Sequence, residues 1–452
     1  MRSVNPATGE LIRDYAEHDA ETVRLRLDAA AAAAAGWRRA PIGDRAESLR
    51  RAAGVLRERR AECSRLMTAE MGKPIAAAEA EVDKCAWACE HFAEHGPGFL
   101  APEPVATDAA RSFVRYDPLG VVLAVMPWNF PFWQVFRCAA PALLAGNAVV
   151  LKHASNVPGS ALAIADVLSA AGLPDGVFTA LLVPSAAVDG LIAHPAIAAV
   201  SLTGSESAGA AVAAAAGKAI KKAVLELGGS DPFVVLADAD PVRTASHAVA
   251  ARIVNNGESC IAAKRFIVED EVADRFESAL IAAMKALVTG DPMDRAVAMG
   301  PLARNDLRLE LQAQVERTVE AGAKLRLGGA IPEGRGFFYP PTVLTGVEPG
   351  MAAFDEETFG PVAAVTRARD AAHAIQLANR SRFGLGASLW TADAARGEAL
   401  AAEIEAGAVF VNGMVKSDPR LPFGGIKGSG YGRELARHGI REFVNVKTVW
   451  IA

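Results

Sequence analysis

Three side chains that could take part in catalysis lie in stretches rich in glycine or proline. Cys260 lies in residues 256–262, Glu226 directly precedes Leu-Gly-Gly, and Asn129 lies between two prolines. A thiol can act as a nucleophile, a carboxylate as a base, and a side-chain amide as a donor to an oxyanion. The combination predicts an enzyme that forms a covalent adduct on Cys260.

The sequence around Cys260 predicts a loop. Asn255, Asn256 and Gly257 precede it, and these residue types are poor formers of helices and strands. A thiol on a loop is more reactive than one in a packed core. The four other cysteines lie in alanine-rich helical contexts and are expected to be inert core thiols: Cys63, Cys85, Cys89 and Cys138.

Glu226 ends an apolar run, so its carboxylate should be partly desolvated, with a pKa raised towards that of a useful base. The alternative is a glutamate at a strand end that forms a salt bridge.

Two further segments could contact phosphate. Residues 202–209 follow an apolar run and open a helix, where backbone N–H groups attract anions. Lys152 follows another apolar run, where a lysine can reach a ribose or a phosphate. An ordinary strand-to-helix turn and a solvent-exposed lysine are the alternatives.

A metal-binding pattern is also present. His91 and His95 fit the spacing His-x-x-Glu-His, with Cys85 and Cys89 nearby. Because glycine and proline follow directly, the motif is placed at a helix end. We therefore interpret these as ordinary helix residues and predict no metal site.

Composition narrows the class of protein. The chain has 452 residues, 51% of them hydrophobic, which is enough for a large core and more than one domain. Its formal net charge is −5 without a basic block, so no nucleic-acid surface is expected. The most apolar region, residues 136–151, is interrupted by Arg137 and Pro141, and the first residues do not resemble a secretion signal. Five scattered cysteines favour a reducing compartment, the cytoplasm.

The hydrophobic pattern predicts an α/β fold. Helices are expected over residues 19–39, 41–71 and 75–95, with the last ended by Gly-Pro-Gly. Short apolar runs then alternate with helical stretches, as in parallel sheets. The run at 224–227 is interpreted as the start of a second series, with a domain boundary near residues 226–230.

Residues 111–116 alternate in polarity, and residues 443–451 have a similar character. Such strands outside a main core are often used for subunit pairing. We therefore expect a homodimer or a homotetramer.

The chain resembles the aldehyde dehydrogenase superfamily almost from end to end. The motifs that carry the resemblance include Asn-Pro-Ala-Thr-Gly-Glu at 5–10, Pro-Trp-Asn-Phe-Pro at 127–131, Glu-Leu-Gly-Gly at 226–229, the Cys260 loop, Glu-Glu-Thr-Phe-Gly-Pro-Val at 356–362 and Pro-Phe-Gly-Gly at 422–425. Within the superfamily, residues 222–233 and 417–425 are most similar to bacterial succinate-semialdehyde dehydrogenases.

The resemblance implies two parallel-sheet α/β domains and a small oligomerisation element. The Rossmann-like cofactor domain would cover residues 1–105 and 119–227, and the catalytic domain residues 228–430. The oligomerisation element would cover residues 106–118 and 431–452.

The resemblance also implies a mechanism. Cys260 attacks the aldehyde, Asn129 and the Cys260 backbone N–H hold the oxyanion, hydride leaves for a nicotinamide, and Glu226 activates water to release the acid. By the same resemblance, eight residues contact the cofactor: Trp128, Lys152, Ser155, Gly204, Ser205, Leu227, Glu357 and Phe359.

Ser155 bears on the choice of cofactor. NAD-preferring relatives often have a glutamate there, which repels a 2′-phosphate. A serine removes this repulsion, and Lys152 can pair with the phosphate. NADP is therefore the expected preferred cofactor, and NAD remains usable.

Substrate recognition is where the chain departs from the family. Well-studied succinate-semialdehyde enzymes have an arginine six residues before the cysteine, and here that residue is Val254. Arg137 and Ser417 match substrate-binding positions, and Arg420 is a candidate replacement for the arginine.

Three further positions also differ from relatives. Glu258 stands where glutamine is usual, and Cys138 where a lysine is common. Ala262 replaces the second cysteine of a redox switch. No such disulfide switch is therefore expected.

The sequence predicts an NAD(P)-dependent oxidation of succinate semialdehyde or a close ω-carboxy aldehyde. One alternative is a broad-specificity aliphatic aldehyde dehydrogenase. Others are a cofactor-independent cysteine esterase or amidase, which usually has a histidine base, and a non-catalytic protein on the same fold.

Overall fold

The computed structural model describes residues 1–452 and contains four sheets, two of them large. The strands are β1 (Arg2–Val4), β2 (Leu11–Asp14), β3 (Glu103–Pro104), β4 (Arg111–Pro118), β5 (Val121–Met126), β6 (Ala148–His153), β7 (Phe178–Leu181), β8 (Ile197–Thr203), β9 (Lys222–Glu226), β10 (Pro232–Val235), β11 (Arg265–Glu269), β12 (Lys324–Leu327), β13 (Thr342–Thr345), β14 (Val362–Ala368), β15 (Gly386–Trp390), β16 (Ala408–Val411), β17 (Gly430–Tyr431) and β18 (Val444–Ile451).

The helices are α1 (Ala20–Trp37), α2 (Ile42–Glu58), α3 (Arg60–Met71), α4 (Ile75–Phe99), α5 (Trp133–Ala145), α6 (Pro158–Ala170), α7 (Val188–Ala193), α8 (Glu206–Lys218), α9 (Pro241–Arg252), α10 (Asp270–Lys285), α11 (Asn305–Glu320), α12 (Ala352–Asp355), α13 (Ala371–Asn379), α14 (Ala394–Ala401) and α15 (Ala436–Ile440). None of these helices has the length and apolar character needed to cross a membrane.

The first large sheet has the strand order β17-β9-β8-β5-β6-β7 and is parallel except for β17. Its strands are buried on both faces, because alternate side chains enter different cores. Val122 and Ala124 pack with residues of α2, α4, α5 and α6, whereas Val121 and Leu123 pack with residues of α1, α7 and α8. The continuous apolar runs in the sequence follow from this double burial.

The second large sheet has the order β12-β13-β14-β11-β10-β15-β16, with only β12 antiparallel. Val234 faces one core, while Phe233 and Val235 face the other. The predicted α/β class with two parallel sheets is confirmed.

A small antiparallel sheet has the order β18-β4-β3. Strands β18 and β4 pair along their whole length, from Val444 opposite Pro118 to Ile451 opposite Arg111. The sheet also includes Glu103 and Pro104, so it begins before residue 106, the predicted boundary. Strand β18 lies at its edge.

Two helix predictions were wrong in detail. The predicted helix over 41–71 divides at Arg59, between α2 and α3. Helix α4 does not end at residue 95 but continues through Pro97 to Phe99. Proline leaves the carbonyl of Ala93 without its usual backbone donor. The Arg50 guanidinium donates to that carbonyl at 3.4 Å, which compensates for the loss.

Two strand predictions also need correction. Residues 222–226 do not open the second sheet, because β9 pairs in parallel with β8 and completes the first sheet. Strand β15, which was not predicted, lies inside the second sheet between β10 and β16. Its sequence, Gly-Ala-Ser-Leu-Trp, starts with small residues and lacks the β-branched signature of a strand.

The strand order explains where the site forms. In the first sheet β6 and β7 lie on one side of β5, and β8 and β9 lie on the other. Ligands of such sheets bind at the carboxyl ends of the strands, at this reversal of direction. Asn129 follows β5, Lys152 is the penultimate residue of β6, Gly204 follows β8 and Glu226 ends β9.

Candidate active site

The loop before Cys260 has an unusual backbone. Asn255, Asn256 and Gly257 have φ values of 56°, 61° and 80°. Asparagine and glycine tolerate this left-handed region better than other residues. A Cβ atom at Gly257 would also collide with the backbone of Gly360. The residue types that predicted a loop are therefore the ones that its geometry requires.

Buried cations hold this loop in place. Lys264 Nζ donates to the carbonyl oxygens of Ser259, Cys260 and Ala262 at 3.0, 2.9 and 3.1 Å. Arg252 Nη2 donates to the Gly257 carbonyl at 2.7 Å. These bonds fix the position of the thiol without contacting its sulfur.

Burial raises the pKa of the Cys260 thiol to about 12, although Arg137 and Lys264 favour the thiolate. The resting thiol is therefore neutral and needs a base to become a nucleophile. Cys260 is partly exposed and lies on a turn before β11. It is the one residue that lines both of two large cavities, of about 720 and 560 Å³.

Asn129 connects the two large sheets at Cys260. Its Nδ2 donates to the Glu258 carbonyl at 3.1 Å, and the Asn129 backbone carbonyl accepts from Asn255 Nδ2 at 2.8 Å. One N–H of the amide therefore remains for a ligand. The backbone N–H of Cys260 makes no hydrogen bond to another backbone group. The Asn129 amide and the Cys260 backbone N–H therefore each have a free donor, and the bond to Glu258 brings Asn129 next to the segment that carries Cys260.

Glu226 is 2% exposed, and neither of its carboxylate oxygens has a hydrogen-bond partner. A Cβ atom at Gly424 would lie 2.6 Å from Glu226 Oε1 and 2.8 Å from the Gly432 backbone oxygen, so only glycine fits there. Burial raises the pKa of Glu226 well above its usual value, Arg137 opposes the rise, and the nearby Glu434 adds to it. The raised pKa expected from the sequence is confirmed.

The 720 Å³ cavity has the features of a nucleotide cleft. Ser205 lines the cavity and caps α8 by accepting from the Ala208 N–H at 3.3 Å. The N-terminus of α8 therefore lies at the cavity wall. Glu357 accepts from the Gly229 N–H at 3.0 Å. Six of the eight predicted cofactor residues line this cavity: Trp128, Gly204, Ser205, Leu227, Glu357 and Phe359.

The other two predicted cofactor residues lie at a separate hollow of about 420 Å³. Ser155 and Ser185 line it, and the buried Lys152 Nζ donates to Ser185 Oγ at 3.3 Å. The amide nitrogen of Asn156 is buried there without a partner. The Glu17 carboxylate also lines the hollow, where it pairs with the N-terminal ammonium group. The Lys152 ammonium and the Asn156 amide are donors that fit an anionic group such as a phosphate.

The 560 Å³ cavity extends from Cys260 in another direction. Arg137, Ser417 and Val254 line it. The Arg137 guanidinium forms an ion pair with the buried Glu434 and lies 4.7 Å from the Phe423 ring centre. Its charge is therefore already compensated.

Arg420 is not where the sequence analysis placed it. It lies outside both large cavities, with a side chain that is 65% exposed. Its guanidinium donates to both carboxylate oxygens of Asp418, at 2.9 and 2.7 Å, and lies over the Trp87 ring. The carboxylate two residues earlier holds Arg420 at the surface, so it does not replace the missing arginine.

Lys84 and Trp133 line the 560 Å³ cavity, and sequence reasoning missed both. Lys84 Nζ donates to Ser417 Oγ at 2.8 Å, and Trp133 Nε1 donates to the same oxygen at 3.0 Å. The sequence could have indicated Lys84 through its helical spacing, because Ala77, Ala80 and Lys84 lie on one face of α4.

Glu258, which stands in place of the usual glutamine, is fully buried. Its two oxygens accept from the Ala303 N–H at 3.0 and 3.2 Å. Burial raises the pKa of Glu258 well above its usual value, which favours the neutral acid. A neutral carboxyl group has nearly the shape and polarity of a glutamine amide, so the substitution fits the site.

The remaining thiols and histidines lie apart from the cavities. Cys63, Cys85, Cys89 and Cys138 are buried, as predicted. His91 and His95 are ring neighbours at 4.7 Å on α4, and no group of three or more His, Cys, Asp or Glu side chains could hold a metal ion.

Comparison with known proteins is consistent with this geometry. Residues 1–449 match the model of the aldehyde dehydrogenase family. A Synechocystis protein named probable succinate-semialdehyde dehydrogenase [NADP(+)] is 53% identical over 452 residues, which cover 100% of both chains. An Escherichia coli protein named succinate semialdehyde dehydrogenase [NAD(P)+] is 51% identical over 448 residues, with 99% and 97% covered.

A crystal structure of a Streptococcus pyogenes succinic semialdehyde dehydrogenase with NADP+ superposes with a TM-score of 0.97. That chain is 36% identical, and the match covers 100% of this chain and 99% of the other. This chain belongs to the aldehyde dehydrogenase family.

Proposed function

We propose that this enzyme oxidises succinate semialdehyde, or a close ω-carboxy aldehyde, to the carboxylic acid with NADP as the preferred oxidant. The observation that carries the proposal is that Cys260 lines both a nucleotide-sized cleft and a separate substrate cavity. The names of the relatives described above support the same substrate and cofactor.

The first step is attack of the Cys260 sulfur on the aldehyde carbon. Because burial keeps the resting thiol neutral, its proton passes to solvent in the cavities that Cys260 lines as the sulfur attacks. The oxygen of the adduct gains charge and is stabilised by Asn129 Nδ2 and the Cys260 backbone N–H. One such donor typically contributes about 3–4 kcal/mol to the transition state.

Bound NADP supplies the nicotinamide that accepts the hydride of the adduct, which leaves a thioester on Cys260. Residues lining the cleft, including Ser205 and Glu357, orient the cofactor, while Lys152 and Ser155 bind its adenosine ribose and 2′-phosphate. NAD lacks this phosphate and is accepted less well.

Glu226 completes the reaction by taking a proton from water, which then attacks the thioester and releases the acid. Its raised pKa makes the carboxylate a stronger base than an exposed one. Because neither oxygen has a partner, both are free to orient the water.

We further propose that the protein works in the cytoplasm as a homodimer or a homotetramer, with the β18-β4-β3 sheet at the subunit contact. All five cysteines are unpaired, which supports a reducing compartment. The exposed apolar side chains of β18 support a protein partner.

The test is steady-state turnover of succinate semialdehyde and of butanal, each with NADP and with NAD. A much higher kcat/KM for the semialdehyde supports the proposal. Equal values would favour the broad aliphatic enzyme, for which the mostly apolar lining of the substrate cavity provides a reason. Cys260→Ala should abolish turnover while NADP still binds, and surviving turnover would contradict the assignment of the nucleophile.

A further inference from the structure

The substrate cavity contains one half-buried cation that has no anionic partner. Three cationic side chains line it: Lys84, Arg137 and Lys416. Arg137 is paired with Glu434, and Lys416 is exposed to solvent. Lys84 is half-buried, and no carboxylate lies within ion-pair distance of its nitrogen.

The surroundings of Lys84 keep the ammonium group fixed in the cavity. Its Nζ lies 4.2 Å from the Trp133 ring centre, a cation–π arrangement, and donates to Ser417 Oγ at 2.8 Å. A lysine ammonium has three N–H donors, so others remain for a ligand.

Ser417 adds a second donor beside Lys84. Its oxygen already accepts from Lys84 Nζ and from Trp133 Nε1. With its acceptor positions in use, the hydroxyl hydrogen is directed to a further acceptor. The ammonium and the hydroxyl together offer adjacent donors of the kind that binds the two oxygens of a carboxylate.

We propose that Lys84, together with Ser417, binds the distal carboxylate of the aldehyde substrate and so determines specificity for ω-carboxy aldehydes. Lys84 lines the same cavity as Val254, the position at which the resemblance implies a carboxylate-binding arginine. This inference rests on the proposed function and assigns recognition of the substrate carboxylate to Lys84 of α4 and to Ser417.

The test compares kcat/KM for succinate semialdehyde and for butanal in wild type, Lys84→Met, Lys84→Arg and Arg420→Met. In Lys84→Met the semialdehyde value should fall about 10- to 100-fold, mainly through KM, because a charge-assisted hydrogen bond is lost. The butanal value should stay within about threefold. Lys84→Arg should keep much of the semialdehyde preference, and Arg420→Met, outside the cavity, should keep all of it.

A pH profile separates a charge effect from a packing effect. Burial and Arg137 lower the pKa of Lys84 to about 8, while Cys85, Glu81 and Asp418 oppose the change. Below this pH the free enzyme has a charged Lys84, and above it the charge is lost. The ratio of semialdehyde to butanal kcat/KM should therefore fall above about pH 8 in wild type, and this decline should be absent in Lys84→Met.

The outcomes are distinguishable. If wild type shows no preference for the semialdehyde, the proposed substrate is wrong. If wild type has the preference but Lys84→Met keeps it, only the role of Lys84 is refuted. If Lys84→Met lowers kcat/KM for both substrates equally while NADP binding stays intact, the lysine is structural and the inference is also refuted.

Discussion

Glu226 and Cys260 share an electrostatic property, since burial raises the pKa of both side chains. A neutral thiol at rest is less easily oxidised than a thiolate. The buried positive charge of Arg137 acts on both groups in the opposite direction. The two reactive side chains are therefore tuned by a shared environment.

Replacing Glu226 by glutamine should separate the two halves of the reaction. Glu226→Gln keeps the shape but cannot accept a proton, so the thioester should form and then hydrolyse slowly. We expect a burst of about one NADPH per active site, followed by turnover reduced about 10²- to 10⁴-fold. Rapid-mixing absorbance at the NADPH band measures both phases. Loss of the burst would instead assign Glu226 to the attack by Cys260.

Ser155 should set the preference for the 2′-phosphate. Ser155 lines the hollow in which Lys152 bonds to Ser185, and Ser155→Glu would introduce a negative charge there. This charge should repel the 2′-phosphate of NADP and shift the kcat/KM ratio towards NAD. Ser155→Ala is the matched control and should keep most of the NADP preference. An unchanged ratio in the glutamate variant would show that another part of the site selects the cofactor.

At the level of elements, the Cys260 loop depends on glycine at position 257. Gly257→Ala would place a methyl group against the Gly360 backbone in a left-handed conformation. We expect a loss of about 2–4 kcal/mol of stability together with most of the activity. Gly54→Ala, within α2 and with open space around it, should instead stabilise by about 0.5–1 kcal/mol. Thermal unfolding midpoints measure both, and equal shifts would contradict the role of the loop.

The sequence predicted the elements around the catalytic groups because the signals there are local. Asn255, Asn256 and Gly257 mark a loop by residue type, and apolar runs mark strands buried on both faces. The end of α4 was misjudged because a distant guanidinium, from Arg50, compensates for Pro97. Such compensation depends on which helices pack together, and sequence spacing does not contain it.

Substrate recognition was the least predictable part for the same reason. Lys84 and Ser417 are separated by 333 residues, and their contact depends on the tertiary packing that brings α4 next to the segment carrying Ser417. Arg420 was a reasonable candidate by residue type. Asp418 two residues earlier was the local sign that its charge would be compensated.

At the scale of the whole molecule, the two large sheets supply different parts of one reaction. The carboxyl edge of the first sheet carries Asn129, Gly204 and Glu226, and the Cys260 loop precedes β11 of the second. Hydrogen bonds between Asn129 and the 255–258 segment join the two parts. A relative movement of the sheets would therefore alter the position of Asn129 relative to Cys260.

The edge strand β18 should mediate subunit assembly. Val446 and Trp450, on one face of it, are 62% and 53% exposed, and an apolar edge strand in water favours pairing with another chain. The double variant Val446→Lys, Trp450→Lys should therefore sediment as a single subunit, whereas Ile220→Lys, at a 95% exposed position elsewhere, should sediment like wild type. Analytical ultracentrifugation measures the masses. Because both cavities lie within one chain, the separated subunit should still bind NADP. An unchanged mass in the double variant would place the subunit contact on another surface.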